Sequence, residues 1–506
     1  MGRPGQRVHS LGLGRALRPD RRRAGPPLQW RAGAAQAGNR WRRTGVSHRV
    51  PLDATTRTTV LSLRAGVPGG TRAGLTRLEP SGRRVVSVSL DAGVRRGALS
   101  NSDSETVAAG AAMALQQRLP LVVVLASSGA DVFEGVASLD GWGRAAQAMA
   151  SCSGIVPVVV VCYGLALSGP ALLLGLADVV VMTTEAVAYV SGPAAVAQLT
   201  GQHVTSDQLG GQGVHSRQSG VAALVADDVD SALDAVDCLL AYLPDHVDEV
   251  PPRQATQDPA GRPTPQLRDL LPASPTVSYD VRRVVEALAD DGEFLELRAR
   301  WAPQLVTALC HVDGRPVGVV ANQPQSMAGT LDIAASQKGA RFVAFCDAFN
   351  LPLLTLVDTP GFMPGKDLEW RGMIRHGAQL VFSYAQATVP RVCLILRKAF
   401  GGAYIVMDSK GMGNDVCLAW PSAQVAVMGA AGAVQILHRR EDAATQARLA
   451  VDYEEAYLNP YVAAERGFVD SVIDPADTRG AVARALELLS TKRERLAARK
   501  HANGPL

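Results

Sequence analysis

The chain contains two copies of one sequence pattern. The segment Gly82-Arg-Arg-Val-Val-Ser-Val recurs as Gly314-Arg-Pro-Val-Gly-Val-Val, an offset of 232 residues. Further pairs keep this register: Gly97 and Gly329, Leu119 and Leu351, and Gly129 and Gly361 at the same offset, then Val156 and Val389 and Ser168 and Gly401 after a slip of one residue. Stacked repeats have periods of roughly 20–50 residues, so this much longer period indicates one duplicated domain rather than a solenoid.

Each copy alternates short apolar runs with Ala-rich stretches of helical composition. The predicted strands are residues 85–90, 121–125 and 158–162 in the first copy and 317–321, 353–357 and 392–396 in the second, and the main predicted helices are residues 105–117 and 334–349. Strands that alternate with helices predict an α/β fold with mainly parallel strands. The fold class is therefore α/β, with two homologous halves.

The two ends of the chain differ in composition from its body. Residues 1–50 contain twelve Arg and one Asp but no Lys or Glu, so the rest of the chain is acidic despite the net charge of +4. A transit peptide and a plain extension both fit such a leader, and we predict a disordered basic extension over residues 1–49. An acidic body argues against a nucleic-acid surface. The charged, helix-patterned residues 481–500 predict a solvated closing helix.

The cysteines predict reduced thiols, and the apolar segments predict a protein without a membrane-spanning helix. The seven cysteines show no C-x-x-C spacing, which indicates buried thiols rather than disulfides or a zinc site. Residues 154–177 carry no charge but are interrupted by Pro157, Gly164, Pro170 and other breakers. We therefore predict a buried core segment there rather than a membrane span.

Glycine loops end two apolar runs in each copy. They are Ser127-Ser-Gly-Ala130 and Leu167-Ser-Gly-Pro170 in the first copy, and Thr359-Pro-Gly-Phe362 and Phe400-Gly-Gly-Ala403 in the second. A strand that ends in glycine and leads into a helix leaves backbone N–H groups free, and two such loops side by side can bind an oxyanion. Tight packing of strand against helix would also favour glycine, and both interpretations stay open at this point.

Several longer motifs resemble the carboxyltransferase (β) subunits of acyl-CoA carboxylases, of the propionyl/acetyl-CoA carboxylase β type. The resemblance covers roughly residues 50–506 and is most specific in the second half. The motifs are Val357-Asp-Thr-Pro-Gly-Phe-Met-Pro-Gly365, Ile374-Arg-His-Gly-Ala378, Arg397-Lys-Ala-Phe-Gly-Gly-Ala-Tyr404 and Ala419-Trp-Pro-Ser422, with Glu134-Gly-Val-Ala-Ser-Leu139 and Ser219-Gly-Val221 in the first half.

The resemblance implies a crotonase-like (ClpP/crotonase) ββα-superhelix in each half. Residues 50–250 would form the half that binds acyl-CoA, residues 251–280 a linker, and residues 281–506 the half over which biotin approaches. It also implies a cytoplasmic homo-oligomer, commonly a hexamer, with active sites between subunits. Because the chain shows no biotin carboxylase region and no biotinyl site, a partner α subunit would supply carboxybiotin on its biotin carrier. No metal is expected to bind this chain.

The resemblance also assigns roles to individual residues. Biotin supplies the base in the family mechanism, so backbone donors rather than a side-chain nucleophile carry the chemistry. The catalytic oxyanion pairs would be Ser168 with Gly169 and Gly402 with Ala403, and the substrate-binding residues Gly129, Ala130, Gly361, Phe362, Tyr404 and Ile405. The apolar Ile405 favours acetyl-CoA or a broader acyl range over strict propionyl-CoA preference.

The first half departs from the family pattern. Ser168-Gly169-Pro170 stands where Gly-Gly-Ala is usual, Asp131 stands where Arg is usual, and a second Arg is lost before His215. Because CoA carries phosphates, the loss of cations predicts weaker CoA binding, and hence an unusual substrate or reduced activity.

Other polar residues of the motifs have competing interpretations. His215 and His376 are expected to be structural, and Asp358 to cap a turn. Arg397 and Lys398 would meet a ligand or form a solvated edge.

Three other functions remain open. A biotin-dependent acyl-CoA decarboxylase would use the same transfer in reverse, and a non-catalytic scaffold subunit would explain the first-half departures. A crotonase-type hydratase would need a pair of carboxylates at the glycine loops. Asp131 and Glu134 are the nearest candidates for such a pair, and the second half has no equivalent.

Overall fold

The computed structural model describes residues 59–505 except 273, 275, 276 and 493. The predicted basic extension, residues 1–49, lies outside the described residues.

The first half is built on an eight-stranded mixed sheet. The antiparallel strands β1 to β3 lead into a parallel set, in the order β1-β2-β3-β4-β5-β6-β8, and β7 pairs with β5. The strands are β1 (Thr59–Leu63), β2 (Thr71–Arg77), β3 (Arg84–Leu90), β4 (Leu121–Ser127), β5 (Val158–Leu167), β6 (Val179–Thr183), β7 (Val187–Tyr189) and β8 (Leu224–Ala226).

The second half repeats this sheet strand for strand. Its order is β9-β10-β11-β12-β13-β14-β16, and β15 pairs with β13 as β7 pairs with β5. The strands are β9 (Phe294–Leu297), β10 (Leu305–Val312), β11 (Arg315–Asn322), β12 (Leu353–Thr359), β13 (Arg391–Phe400), β14 (Val416–Ala419), β15 (Gln424–Ala426) and β16 (Ser471–Val472). The predicted duplication and the predicted α/β fold class are thereby confirmed.

Helices connect and cover the strands of both sheets. In the first half they are α1 (Asn101–Gln117), α2 (Val136–Ala150), α3 (Gly169–Leu176), α4 (Pro193–Thr200), α5 (Ser206–Gly210), α6 (Gln212–Val214) and α7 (Val229–Leu240). In the second half they are α8 (Arg282–Leu288), α9 (Ile333–Ala348), α10 (Lys366–Trp370), α11 (Met373–Gln386), α12 (Gly401–Val406), α13 (Ala430–Leu437), α14 (Ala443–Tyr457), α15 (Pro460–Glu465) and α16 (Thr478–Leu488).

The core consists mainly of Val, Leu and Ala from the parallel strands. All seven residues of β4 and all seven of β12 are buried, as expected for parallel strands covered on both faces. The uncharged residues 154–177 form β5, which lies mainly in this core as predicted, and α3, which buries Leu173 and Leu174 but exposes Leu172. No helix among the described residues is long and apolar enough to span a bilayer.

Two sequence-based expectations need correction. The closing helix α16 ends at Leu488, well short of residue 500, and Val482 and Leu486 are buried against the second sheet, so it is amphipathic rather than solvated. Six cysteines are buried as predicted, but Cys238 on α7 is exposed.

The segment between the halves packs against the second half. The N–H of Gln254 donates to the Gly314 carbonyl (2.8 Å), and the N–H of Thr264 donates to the Ala476 carbonyl (2.7 Å). Arg479, fully buried on α16, bonds Asp290 (2.7 Å) and lies 3.4 Å from Asp258 of this segment. Two backbone hydrogen bonds and the ion pair of Asp258 with buried Arg479 thus hold the segment against the second half.

Candidate active site

The two glycine loops of the first half lie side by side at the carboxyl ends of β4 and β5. Gly129 has a φ of 107°, and a Cβ placed on it would lie 3.7 Å from the Leu167 carbonyl oxygen and 3.9 Å from the Ser168 Cβ. The N–H of Leu99 donates to the Gly129 carbonyl (2.9 Å), and the N–H of Asp131 donates to the Leu99 carbonyl (2.9 Å). These bonds leave the N–H of Ala130, between them, pointing away from Leu99.

The second half builds the same arrangement. Leu331 pairs with Phe362 as Leu99 pairs with Ala130. A Cβ on Gly402 would lie 3.7 Å from the Phe362 ring, so the loops after β12 and β13 are also adjacent. The predicted side-by-side placement of the loops holds in both halves.

The positions after β5 and β13 show which N–H groups are free. Ser168 has a φ of 62° and Gly401 a φ of 60°, so these two residues are equivalent, and Gly169 and Pro170 match Gly402 and Ala403. The N–H of Ser168 donates to the Tyr189 carbonyl (3.1 Å), and Pro170 has no N–H. Ser168 is therefore at the predicted place, but its N–H is already used.

The remaining donors form one set in each half. Within the described part of the chain, no protein acceptor takes the N–H of Ala130 or Gly169 in the first half, or that of Phe362, Gly402 or Ala403 in the second. Backbone donors held at adjacent strand ends suit an oxygen on which negative charge develops.

An aromatic ring packs against the key glycine in each half. A Cβ on Gly169 would lie 2.9 Å from the Trp142 ring of α2, so the ring would have to move to admit alanine, whereas Phe362 leaves ordinary contact distance at Gly402. The Trp142 Nε1 is buried without a hydrogen-bond partner in the described structure. Trp142 is absent from the sequence-based assignment, although it is the one aromatic residue of the Ala- and Gly-rich α2.

Tyr404 and Ile405, both predicted to bind substrate, have different environments. Tyr404 is 7% exposed and packs in the core, and its burial raises the pKa of its hydroxyl. Ile405 is 44% exposed, and its first-half counterpart Leu172 is 49% exposed. The structure thus gives Tyr404 a packing role and leaves Ile405 at the open face.

Asp358 and Arg397 form a buried ion pair beneath the second-half donors. The Arg397 Nε donates to the Asp358 Oδ2 (3.0 Å), and the Lys398 N–H donates to its Oδ1 (3.1 Å). Burial raises the pKa of Asp358, while the Arg397 charge lowers it. Asp358 therefore joins β12 to β13 rather than capping a turn. Arg397 is neither a solvated edge residue nor free for a ligand.

The two histidines of the motifs contact protein groups. His215 Nδ1 lies 2.7 Å from the Ser219 Oγ, and its Nε2 lies 2.7 Å from the Ala188 carbonyl oxygen. His376 Nδ1 lies 3.1 Å from the Gln337 Nε2. Both rings are engaged by protein groups, which agrees with the predicted structural roles.

The charge of Asp131 is compensated. Asp131 is buried and forms an ion pair with Arg95, which also lies 3.5 Å from the buried Asp103. The Asp131 carboxylate is therefore buried and paired rather than a free negative charge at the surface, and the weaker CoA binding expected from the lost Arg stays a prediction. Within residues 59–505 as described, no group of three or more His, Cys, Asp or Glu side chains is arranged to hold a metal ion.

Comparison with known proteins places this site in a family. The family model described as the carboxyl transferase domain matches residues 79–504. The propionyl-CoA carboxylase beta chain of Saccharopolyspora erythraea is 45% identical over 444 residues, covering 84% of this chain and 81% of that one. The methylmalonyl-CoA decarboxylase subunit alpha of Veillonella parvula is 40% identical over 429 residues, covering 84% and 83%.

A solved structure shows the same fold. The crystal structure of transcarboxylase 12S, a hexamer with methylmalonyl-CoA bound, matches with a TM-score of 0.84 at 42% identity, covering 86% of this chain and 85% of that one. The duplicated sheets are thus those of a crotonase-like carboxyltransferase. The chain belongs to the carboxyl transferase family, as a carboxyltransferase subunit of the biotin-dependent acyl-CoA carboxylase and transcarboxylase type.

Proposed function

We propose that the chain transfers a carboxyl group from carboxybiotin to the α-carbon of an acyl-CoA through an enolate held by backbone N–H groups. The observation that carries the proposal is the pair of donor sets, one in each half, that have no protein acceptor among the described residues. Two donor sets match the two carbonyl-bearing reactants of this reaction.

The first-half donors suit the acyl-CoA thioester. Removal of an α-proton from a thioester moves negative charge onto its oxygen, and donors already in place stabilise that charge without reorganisation. The N–H groups of Ala130 and Gly169 take this role. Gly169 is kept from the predicted pair, whereas the N–H of Ser168 is already used by the Tyr189 carbonyl, so Ala130 takes its place; Pro170 contributes no N–H.

The second-half donors suit the ureido carbonyl of biotin. Phe362, Gly402 and Ala403 present their N–H groups there, and the Phe362 ring offers an apolar face beside them. Carboxybiotin, delivered by a partner, supplies the carboxyl group and then the base. The chain itself binds and orients both reactants.

We further propose that the chain works as a homo-hexamer with a partner α subunit that carries the biotin carboxylase and biotin carrier. Exposed apolar residues surround the donor loops in both halves: Val132, Phe133, Val136, Leu139 and Leu172 in the first, and Trp370, Ile374, Ile405 and Val427 in the second. Exposed apolar residues grouped in this way are typical of subunit contacts. Transcarboxylase 12S forms a hexamer, and contact between unlike halves of two subunits would bring both donor sets to one cleft.

The acyl group and the cellular site are part of the same proposal. The resemblance to the family, in which an apolar residue at this position is typical of acetyl-accepting members, leads us to propose acetyl-CoA or a broader acyl range as substrate; Ile405 is exposed at the biotin-side face, as such a role requires. A one-methylene preference is worth about 1–3 kcal/mol. We place the protein in the cytoplasm.

The test is decarboxylation of malonyl-CoA or methylmalonyl-CoA by the purified protein in the presence of free biotin. Turnover that depends on biotin is expected. Hydration of an enoyl-CoA without biotin would support a hydratase instead, and no turnover of any acyl-CoA would support a scaffold subunit.

A decarboxylase subunit is the second candidate, because the Veillonella parvula relative is one. Because both candidates catalyse the same transfer in opposite net directions, they are separated by the partner that supplies or removes the carboxyl group. Formation of malonyl-CoA from acetyl-CoA, bicarbonate and ATP together with a biotin carboxylase and biotin carrier subunit favours the carboxylase, and failure of this coupled assay despite biotin-dependent decarboxylation favours the decarboxylase.

A further inference from the structure

Arg96 lies on the loop that borders the first-half donors. The short helical turn Arg95–Gly97 is fastened to the neighbouring glycine loop by two bonds. The Ser128 N–H donates to the Arg96 carbonyl (3.1 Å), and the Ser127 hydroxyl donates to the Gly97 carbonyl (2.6 Å). The backbone of Arg96 is therefore held beside the loop that carries the Ala130 N–H.

The second half shows that this loop does not require arginine. Arg95 and Arg96 have φ angles of 47° and 56°, a left-handed conformation that few residues other than glycine adopt. Met327 and Ala328, their equivalents, have φ angles of 47° and 54°. Because Met and Ala form the same turn, the two arginines need another explanation.

Only one of the two arginines is engaged in the described structure. The Arg95 guanidinium pairs with buried Asp131 and approaches Asp103. The Arg96 side chain is exposed and forms no ion pair or hydrogen bond with the residues described. A free guanidinium thus borders the acyl-CoA half, while the biotin half has an uncharged turn at the same place.

We propose that Arg96 binds an anionic group of the acyl-CoA, either a CoA phosphate or a carboxylate on the acyl group. A guanidinium binds both groups through paired N–H donors. The proposal rests on the proposed function, because it takes the first half as the acyl-CoA side. It assigns a cation to the half in which the family's arginine at position 131 is missing.

The experiment measures binding of acetyl-CoA and malonyl-CoA to the purified full-length protein by isothermal titration calorimetry. Arg96→Ala is the test variant, since Ala328 shows that alanine fits the turn. Arg96→Gln is a second variant that keeps the side-chain length. Arg84→Ala is the matched control, because this substitution removes the same charge from an exposed residue at the opposite end of β3.

Both Arg96 variants are expected to raise the Kd by about tenfold or more, and Arg84→Ala by less than about twofold. Equal weakening of both ligands identifies a CoA phosphate, and weakening of malonyl-CoA alone identifies the carboxylate. Binding by the Arg96 variants that matches Arg84→Ala would overturn the proposal. Wild-type protein that binds acetyl-CoA but shows no biotin-dependent turnover would refute carboxyl transfer while leaving Arg96 to be judged by these ratios. Wild-type protein that binds neither ligand would overturn both.

Discussion

The substitution Gly402→Ala tests whether glycine at this position is required for ligand binding or for folding. A Cβ at Gly402 would meet the Phe362 Cε2 at 3.7 Å, an ordinary van der Waals contact. The residue lies in the first turn of α12, where alanine is at least as favourable as glycine, by up to about 1 kcal/mol. The free energy of unfolding should therefore stay the same or rise slightly.

Activity should respond in the opposite direction. The new methyl group stands beside the Gly402 and Ala403 N–H groups, where the biotin carbonyl oxygen would bind. Loss of one oxyanion donor typically costs about 10²–10³ in kcat, and a comparable loss is expected here. The assay is biotin-dependent decarboxylation of malonyl-CoA, alongside a thermal unfolding curve for the same preparation.

The matched control is Gly175→Ala. Gly175 lies near the end of α3, exposed, and no atom lies within 4 Å of the Cβ that it would gain. This variant should keep full activity. Retention of activity by Gly402→Ala to within about twofold would refute the placement of the biotin carbonyl at these donors.

Three further predictions concern packing and charge. In Gly169→Ala the new methyl group would lie 2.9 Å from the Trp142 ring, so the ring must move. We expect a loss of about 1–3 kcal/mol of folding free energy, measured by urea unfolding followed by tryptophan fluorescence, together with loss of activity. Unchanged stability would contradict this prediction. Arg479→Met removes the ion-pair partner of buried Asp290 and should lower the free energy of unfolding by about 3–5 kcal/mol in the same assay. Arg268→Ala removes one partner of the exposed pair with Asp474 and should shift the unfolding midpoint little. Equal effects of the two substitutions would contradict a stabilising role for the buried pair. Burial lowers the pKa of Lys338 from 10.5 to about 7. Between these two pH values the amine is protonated in the unfolded chain but not in the folded one. The free energy of unfolding should therefore rise with pH, by up to about 1.4 kcal/mol per pH unit. Lys338→Met should flatten this part of the curve of unfolding midpoint against pH, and parallel curves for the two proteins would argue against it.

The sequence predicts the parts of the fold that depend on local pattern. The repeat of the Gly82 segment at Gly314 predicts that the second sheet has the same topology as the first. The glycines that end apolar runs mark the carboxyl ends of strands. At Gly129 glycine follows from the φ angle of 107°. These features are encoded within a few residues, so they can be recognised before any tertiary contact is known.

Contacts between distant residues are what the sequence leaves undetermined. Asp358 and Arg397 are 39 residues apart in sequence, and nothing local indicates that they pair in the core. From the sequence alone, Asp131 indicates a loss of positive charge, whereas the structure shows that Arg95 forms an ion pair with it. Helix α16 shows the same difficulty, since its dense charges hide the apolar side that packs on the second sheet.

The duplication itself provides an internal standard for the site. Equivalent residues such as Ser168 and Gly401 keep the same left-handed backbone, so the requirement belongs to the fold rather than to either ligand. Positions where the halves differ despite a shared backbone show what one half adds to or removes from the common fold. Pro170 in place of Ala403 removes a backbone donor from the first half, and Arg96 in place of Ala328 adds a side-chain cation to it. Family motifs identify the reaction because both halves keep the donor loops. Arg96 lies outside these motifs, so the proposed contact of its side chain with an anionic group of the acyl-CoA is suggested only by comparing the two halves of the structure.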